Sequence, residues 1–386
     1  MHAGESPCAR REPGGRVNLY EQLGVRPLIN AATTYTAVGG SLMPTEVLEA
    51  MRDAAGRFVD MNELHARAGD ELARLTRNEA AYVTPGCAAG IVLAVLACRT
   101  RGSLSRIAAL PSSPEVPAEI VMHTAHRMPY DPALQLAGGH IRTVGNVLQT
   151  FDWELEAALS ERTAAVFWVA GPHMPGGALP LADTVRIAHA HGVPVIVDAA
   201  AQLPPMDNLW YFSQEVGADV VLFSGGKALR GPQASGLMVG RADLIEAARA
   251  NGAPNQRFAR ALKVGKEEIA GLVAAVRRYV ELDHSALAEQ WQEVCSDWAT
   301  GLGELPGVRA EIDPVNEAGQ PVPRVRVSVD VQTVGRTAAQ IVEALRNGDP
   351  GVAVVVGRND DFYLGPDMLE PAEAEVVLQR VAGELS

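Results

Sequence analysis

Lysine is nearly missing from this chain. Of its 33 basic residues only three are lysines: Lys227, Lys263 and Lys266. Arginine serves wherever a plain surface cation is wanted. A lysine in a glycine loop therefore points to chemistry that arginine, which holds its proton, does not perform. Positive charge is short overall, with a formal net charge of −13. That argues against nucleic acid as the main partner, since phosphate contacts need a basic surface. Long apolar runs are absent, and none reaches the roughly 20 residues of a membrane span. Met1 to Val17 is polar, rich in Pro and Gly, and has no apolar centre. It reads as a disordered lead rather than a secretory signal. Cysteine is sparse: Cys8, Cys87, Cys98 and Cys295 form no Cys-x-x-Cys pair and no Cys/His cluster with zinc spacing. Free thiols in a reducing cytoplasm are expected, with no metal. No Gly-x-Gly-x-x-Gly follows a first strand, which removes the dinucleotide-binding oxidoreductases.

What is present is a chain of 386 residues, 47% hydrophobic, long enough for one large domain with a smaller one attached. Its middle alternates apolar runs with helical patterns. Glu119–His123, Ala165–Ala170, Val193–Ala199, Asp219–Phe223 and Gly236–Val239 read as strands. Pro44–Arg57, Asn62–Leu75, Ala88–Cys98, Leu181–His191 and Arg241–Ala250 read as helices. Such alternation predicts a parallel sheet covered on both faces. Val193-Pro194-Val195-Ile196-Val197 is apolar at every position, as a strand buried on both sides must be. After about residue 270 the pattern changes. One long helical stretch, Lys266–Leu302, leads to alternating Val322–Val331, then Val352–Gly357, a turn at Arg358-Asn359-Asp360, the strand Asp361–Leu364 and a last helix. This predicts a smaller α+β domain with an antiparallel sheet.

Four places carry chemistry. Ser224-Gly225-Gly226-Lys227 directly follows an apolar strand, and ligands of open α/β sheets bind beyond the carboxyl ends of strands. Lys227 there can be a plain loop cation, a phosphate ligand or a Schiff-base lysine. Asp198 ends a buried strand, where a carboxylate is costly unless paired. It can be a metal ligand, a ribose-binding acid, or the partner of a cofactor's ring nitrogen. Thr84-Pro85-Gly86-Cys87-Ala88-Ala89-Gly90 is a turn of mostly small residues opening a helix, a place where backbone N–H groups receive an anion. His123-Thr124-Ala125-His126-Arg127 follows another strand. Its histidines can be structural, can stack on a planar cofactor, or can face substrate together with Arg127.

Taken together these residues resemble fold-type-I pyridoxal 5′-phosphate (PLP) enzymes, and within them the branch of bacterial selenocysteine synthase and D-glucosaminate-6-phosphate ammonia-lyase. Leu28-Ile29-Asn30-Ala31 is similar to the opening of that branch, and His126-Arg127-Met128-Pro129-Tyr130-Asp131 to one of its loops. Val197-Asp198-Ala199-Ala200 matches the ring-nitrogen motif, and Ser224-Gly225-Gly226-Lys227 with Gly231-Pro232-Gln233 the Schiff-base signature. Arg260-Ala261-Leu262-Lys263 resembles a basic Arg-x-x-Arg element, with Lys263 in place of the second arginine. The resemblance implies a large domain with a mostly parallel seven-stranded sheet plus a smaller C-terminal α+β domain. The expected bounds are 1–17 for the lead, 18–45 for a segment joining the small domain, 46–270 and 271–386.

The resemblance also implies roles. Lys227 binds PLP covalently and moves protons. Asp198 faces the ring nitrogen, His126 or His123 stacks on the ring, and Ala200 touches its other face; His126 is also expected to be catalytic, it or His123 protonating a leaving hydroxyl. Gly86, Cys87 and Ala88 present N–H groups to the phosphate, with help from Ser224. Arg127, Arg260, Lys263 and Arg358 bind the substrate's anionic groups. In this fold type the active site lies at a dimer interface, so a homodimer or an assembly of dimers is expected. Two departures stand out. Selenocysteine synthase carries an N-terminal tRNA-binding domain, whereas few residues precede Leu28 here, so a small-molecule substrate is expected instead of tRNA. Cys87 also stands where Ser or Thr is the commoner choice. The activity implied is α,β-elimination of the ammonia-lyase type on a small polar or anionic amino acid, sugar-derived ones included. Racemisation or epimerisation, aldol cleavage and transamination are the alternatives on the same frame.

Overall fold

Apolar residues alternate faces along the central strands, and both faces are covered. Val83, Val121, Val166, Val195, Val197, Val221 and Phe223 enter one buried cluster. Tyr82, Ile120, Met122, Phe167, Ile196, Val220, Leu222 and Met238 enter another. With side chains alternating at period two, this is a sheet sandwiched between helical layers. The computed structural model describes residues 19–111, 113–174 and 176–386. The lead expected at 1–17 lies outside the described residues.

The sheet has seven strands: β1 Ala80–Thr84, β2 Glu119–His123, β3 His140–Val144, β4 Thr163–Val169, β5 Val195–Asp198, β6 Val220–Ser224 and β7 Gly236–Gly240. Their order is β1-β7-β6-β5-β4-β2-β3. β7 runs antiparallel to both of its neighbours, and the remaining pairings are parallel. Six strands therefore deliver their carboxyl ends to one edge, as the mostly parallel sheet expected from the sequence requires. The helix Cys87–Thr100 is buried nearly all round. It lies against β6, where Leu222 Cδ2 would stand 2.9 Å from a Cβ at Gly90. A side chain at Gly90 would force Leu222 to shift.

The chain divides into two compact units. One comprises residues 41–282 and 317–320; the other holds the described residues 19–40, 283–316 and 321–386. In the smaller unit an antiparallel sheet runs in the order Val355–Val356, Asp361–Leu364, Arg324–Val329, Val308–Asp313. Leu28–Asn30 pairs in parallel with Gly351–Ala353. Trp298 is buried within this unit and donates its indole N–H to Ala374 O at 2.9 Å.

Two expectations need correction. The stretch Lys266–Leu302 is not one helix but two, Lys266–Glu281 and His284–Gly303. Asp283 breaks it by accepting the N–H groups of Ser285 and Ala286, an N-cap that starts the second helix. Val352–Gly357 is two short strands that belong to different sheets.

Candidate active site

The carboxyl edge of the sheet gathers most of the residues picked out from the sequence. Asp198 is the last residue of β5 and is buried. Its Oδ1 accepts the backbone N–H of Ala200 at 3.0 Å and the thiol of Cys87 at 3.6 Å. Burial raises its pKa, opposed by the Ala200 N–H, by the charge of Lys227, by the Cys87 thiol and by His173. Burial pushes the Cys87 thiol well above its ordinary range, and the neighbouring Asp198 charge adds to this.

Lys227 is half-buried in the turn after β6. Backbone bonds from Gly225 N to Ser235 O (2.9 Å), Gly231 N to Gly225 O (2.8 Å) and Arg230 N to Lys227 O (2.8 Å) hold this turn. Ser41 Oγ donates to Gly226 O at 3.1 Å. Of the other lysines, Lys266 is paired with Glu267 and Lys263 is exposed. Ser224 is half-buried at the end of β6, and its N–H donates to Ala200 O at 3.4 Å.

Gly86 caps the helix that begins at Cys87, with φ 92° and ψ 161°. That conformation suits glycine. The N–H groups of Cys87, Ala88 and Ala89 precede the first intrahelical bond, Gly90 N to Gly86 O at 3.0 Å. They are open to an anion, with the helix dipole behind them. Thr84 Oγ1 donates to Gly86 O at 3.0 Å and fixes the turn.

His123 ends β2, and His126 follows in a short 3-10 turn; both are buried. The Val169 N–H donates to His126 Nδ1 at 3.2 Å. The His126 ring meets Trp168 edge-on at 5.0 Å and His123 at 5.4 Å. Burial holds His123 near a pKa of about 4. For His126, burial first and then the neighbouring His123 and His173 charges lower it to about 3. Both rings are neutral at physiological pH, which suits packing and not proton supply. The two ring nitrogens of His123 have no hydrogen-bond partner among the described residues.

The arginines are less convergent. Arg127 pairs with Asp131, whose other carboxylate oxygen accepts the Met128 N–H at 3.2 Å. Arg260 and Lys263 are exposed on the segment before Lys266–Glu281. Arg358 lies in the other unit, in an exposed turn.

Sequence reasoning missed His173 and Gln202. Gly171-Pro172-His173 follows β4, the same strand-end position that marked the other candidates. His173 is exposed, and its Nδ1 donates to Ala318 O at 3.0 Å. Its charge reaches both Asp198 and His126. Gln202 is buried and donates to the same carbonyl at 3.2 Å.

These parts fit PLP. An anion cup lies at a helix start, a buried carboxylate keeps one oxygen without a hydrogen bond, and a half-buried lysine stands beside them. Among the described residues no group of three His, Cys, Asp or Glu is arranged to hold a metal.

Comparison with known proteins agrees. A family model described as L-seryl-tRNA selenium transferase matches residues 28–290. D-glucosaminate-6-phosphate ammonia lyase of Salmonella typhimurium is 36% identical over 371 residues, covering 94% of this chain and 95% of its own. The 5′-C-glycyluridine monooxygenase-decarboxylase of a Streptomyces species is 36% identical over 389 residues, covering 97% and 94%. A solved D-glucosaminate-6-phosphate ammonia-lyase superposes with a TM-score of 0.84 at 34% identity, over 96% of this chain and 98% of that one. A serine palmitoyltransferase from S. paucimobilis with a PLP–myriocin adduct superposes at a TM-score of 0.56 and 16% identity, over 92% and 87%, a likeness of fold alone. The fold defines the class, the fold-type-I PLP enzymes. Within that class, the chain belongs to the L-seryl-tRNA selenium transferase family.

Proposed function

We propose that this PLP-dependent enzyme is a lyase that removes the β-substituent of a polar, sugar-derived 2-amino acid, releasing ammonia and a 2-oxo acid. The observation that carries this reading is the cluster of Asp198, Lys227 and the open helix start at Cys87, on a chain that matches an ammonia lyase over nearly its whole length. When bound, PLP supplies an electron sink for the pair left at the substrate's α-carbon.

The chain's own residues do the rest. Lys227 Nζ holds the cofactor and then takes the α-proton. Asp198 keeps the ring nitrogen protonated. The open N–H groups of Cys87, Ala88 and Ala89, with Ser224, grip the phosphate; the Gly86 N–H, expected to join them, donates to Thr84 O at 2.9 Å instead. His126 would stack on the ring as a neutral group and Ala200 would lie against its other face, while His123, with no accessible surface, packs against His126. His173 has its Nδ1–H committed to Ala318 O, which leaves Nε2 to pass a proton to the leaving hydroxyl. The β-carbon–oxygen bond breaks, its electron pair stays on oxygen, and water departs. Hydrolysis of the resulting imine consumes one water and releases ammonia. Arg127, Arg260 and Lys263 are the cations offered to the substrate's carboxylate and to a distal phosphate or acid. We further propose a cytoplasmic homodimer or an assembly of dimers. No described helix is long and apolar enough to cross a membrane.

The equal identity to the Streptomyces enzyme supports a second reading, oxidative decarboxylation of an amino acid joined to a nucleoside sugar. Purified enzyme incubated with D-glucosaminate 6-phosphate and with 5′-C-glycyluridine separates the two. Ammonia and 2-oxo acid from the first support the lyase. Oxygen uptake and carbon dioxide release from the second, with no ammonia from the first, reject it. Deuterium at the α-carbon with inversion and no release points to a racemase.

A further inference from the structure

The Cys87 side chain does not share the task of its own backbone. The N–H opens toward the anion cup at the helix start, while Sγ turns to Asp198 and lies 3.6 Å from Oδ1. The same oxygen accepts the Ala200 N–H at 3.0 Å. Oδ2 accepts no hydrogen bond among the described residues. One carboxylate oxygen is therefore saturated and the other open. The terminal torsion of an aspartate is broad and roughly two-fold, so the residue itself does not set its carboxylate plane. Two donors on one oxygen do. The thiol is buried and, with its pKa raised, stays protonated and able to donate.

We infer that Cys87 is a positioning residue for Asp198: its thiol holds Oδ1 so that Oδ2 alone meets the ring nitrogen of PLP. This rests on the ring-nitrogen role given to Asp198 above. It also gives a reason for a cysteine at a position where a serine is commoner. A C–S bond is longer than a C–O bond and thiol hydrogen bonds are longer than hydroxyl ones, so sulfur spans a gap that a serine hydroxyl reaches only after the helix start shifts.

The test has one arm without cofactor and one with it. In the apo-protein, the infrared S–H stretch of Cys87 is isolated as wild type minus Cys87→Ala. Cys98 and Cys295, buried and without a hydrogen-bond partner among the described residues, serve as unbonded references. A Cys87 band shifted to lower frequency than theirs, and returning toward them in Asp198→Ala, supports the inference. A band coincident with theirs overturns it. In the holoenzyme, Cys87→Ala should weaken PLP binding about 3- to 10-fold, the range for one lost hydrogen bond. It should also move the ¹⁵N signal of the ring nitrogen toward the unprotonated form, with Cys87→Ser recovering part of both. The role of Asp198 is judged separately. If Asp198→Asn leaves the ¹⁵N signal unchanged, the ring-nitrogen reading falls. If Asp198→Asn moves it and Cys87→Ala does not, only the Cys87 inference falls.

Discussion

At the scale of the residue, burial decides what each histidine can do. His65, His123 and His126 are all nearly inaccessible, and their pKa values lie at about 4, about 4 and about 3 against an ordinary 6.5. The folded state thus binds these protons less readily than the unfolded state does. The stabilisation is complete above pH 6.5 and is lost as pH falls from 6.5 toward 4. At pH 5 the loss is on the order of 2 kcal/mol per histidine. Urea midpoints of the apo-protein should fall clearly between pH 7 and pH 5, a window above most carboxylate titration. A flat profile there would contradict the burial. Two chemical predictions share this scale. Borohydride should fix PLP to Lys227, read by mass spectrometry, and an adduct on Lys263 or Lys266 would refute the assignment. Asp198→Asn should keep the fold and some PLP while losing most turnover, because an amide does not hold a ring nitrogen protonated. Strand-end position was enough to pick out Lys227, Asp198, His123 and His126 from the sequence. The burial of His126 was not legible, since it depends on the Trp168 ring and the Val169 N–H, which reach it from another strand. His173 obeyed the same strand-end rule, but a lone histidine after a Gly-Pro pair gave no second signal.

At the scale of the element, the turn at Gly86 is the most sensitive point. Its φ of 92° with ψ of 161° costs an L-residue about 1 to 3 kcal/mol, and relief of that strain would re-aim three N–H groups. Gly86→Ala should weaken PLP binding at least ~10-fold by this reasoning, read by fluorescence titration. Gly192→Ala, in a left-handed turn after Leu181–Ala190, carries a backbone cost of similar kind and should leave PLP binding unchanged. If both variants lose PLP equally, the effect is general destabilisation and not the cup. Elements with clear periodicity were legible, and those without it were not. β3 is an edge strand, His140-Ile141-Arg142-Thr143-Val144, mostly exposed and polar, so no apolar alternation marked it. Val308–Asp313 does alternate, Val-Arg-Ala-Glu-Ile-Asp, and was legible in principle although no position of it is fully buried. The break at Asp283 was visible in principle, as an aspartate followed by His-Ser-Ala at a helix start.

At the scale of the molecule, the seven-stranded sheet followed from apolar runs separated by helical ones, because that alternation leaves few topologies. The antiparallel course of β7 did not follow, as direction is set by the short connection from Lys227 to Gly236 and not by composition. Light scattering should give a mass of at least twice 40.9 kDa, and an active monomer would overturn the proposed assembly. The three lysines differ in setting: Lys227 half-buried in its turn, Lys266 bound to Glu267, Lys263 out in solvent. In almost any other protein of this length, amine-directed labelling yields a crowded and uninformative pattern. Here it amounts to a gauge with three marks and the terminal amine. Mild acylation should report Lys263 at once, Lys266 slowly, and Lys227 only in molecules that carry no cofactor, so one peptide digest would count the loaded fraction of a preparation.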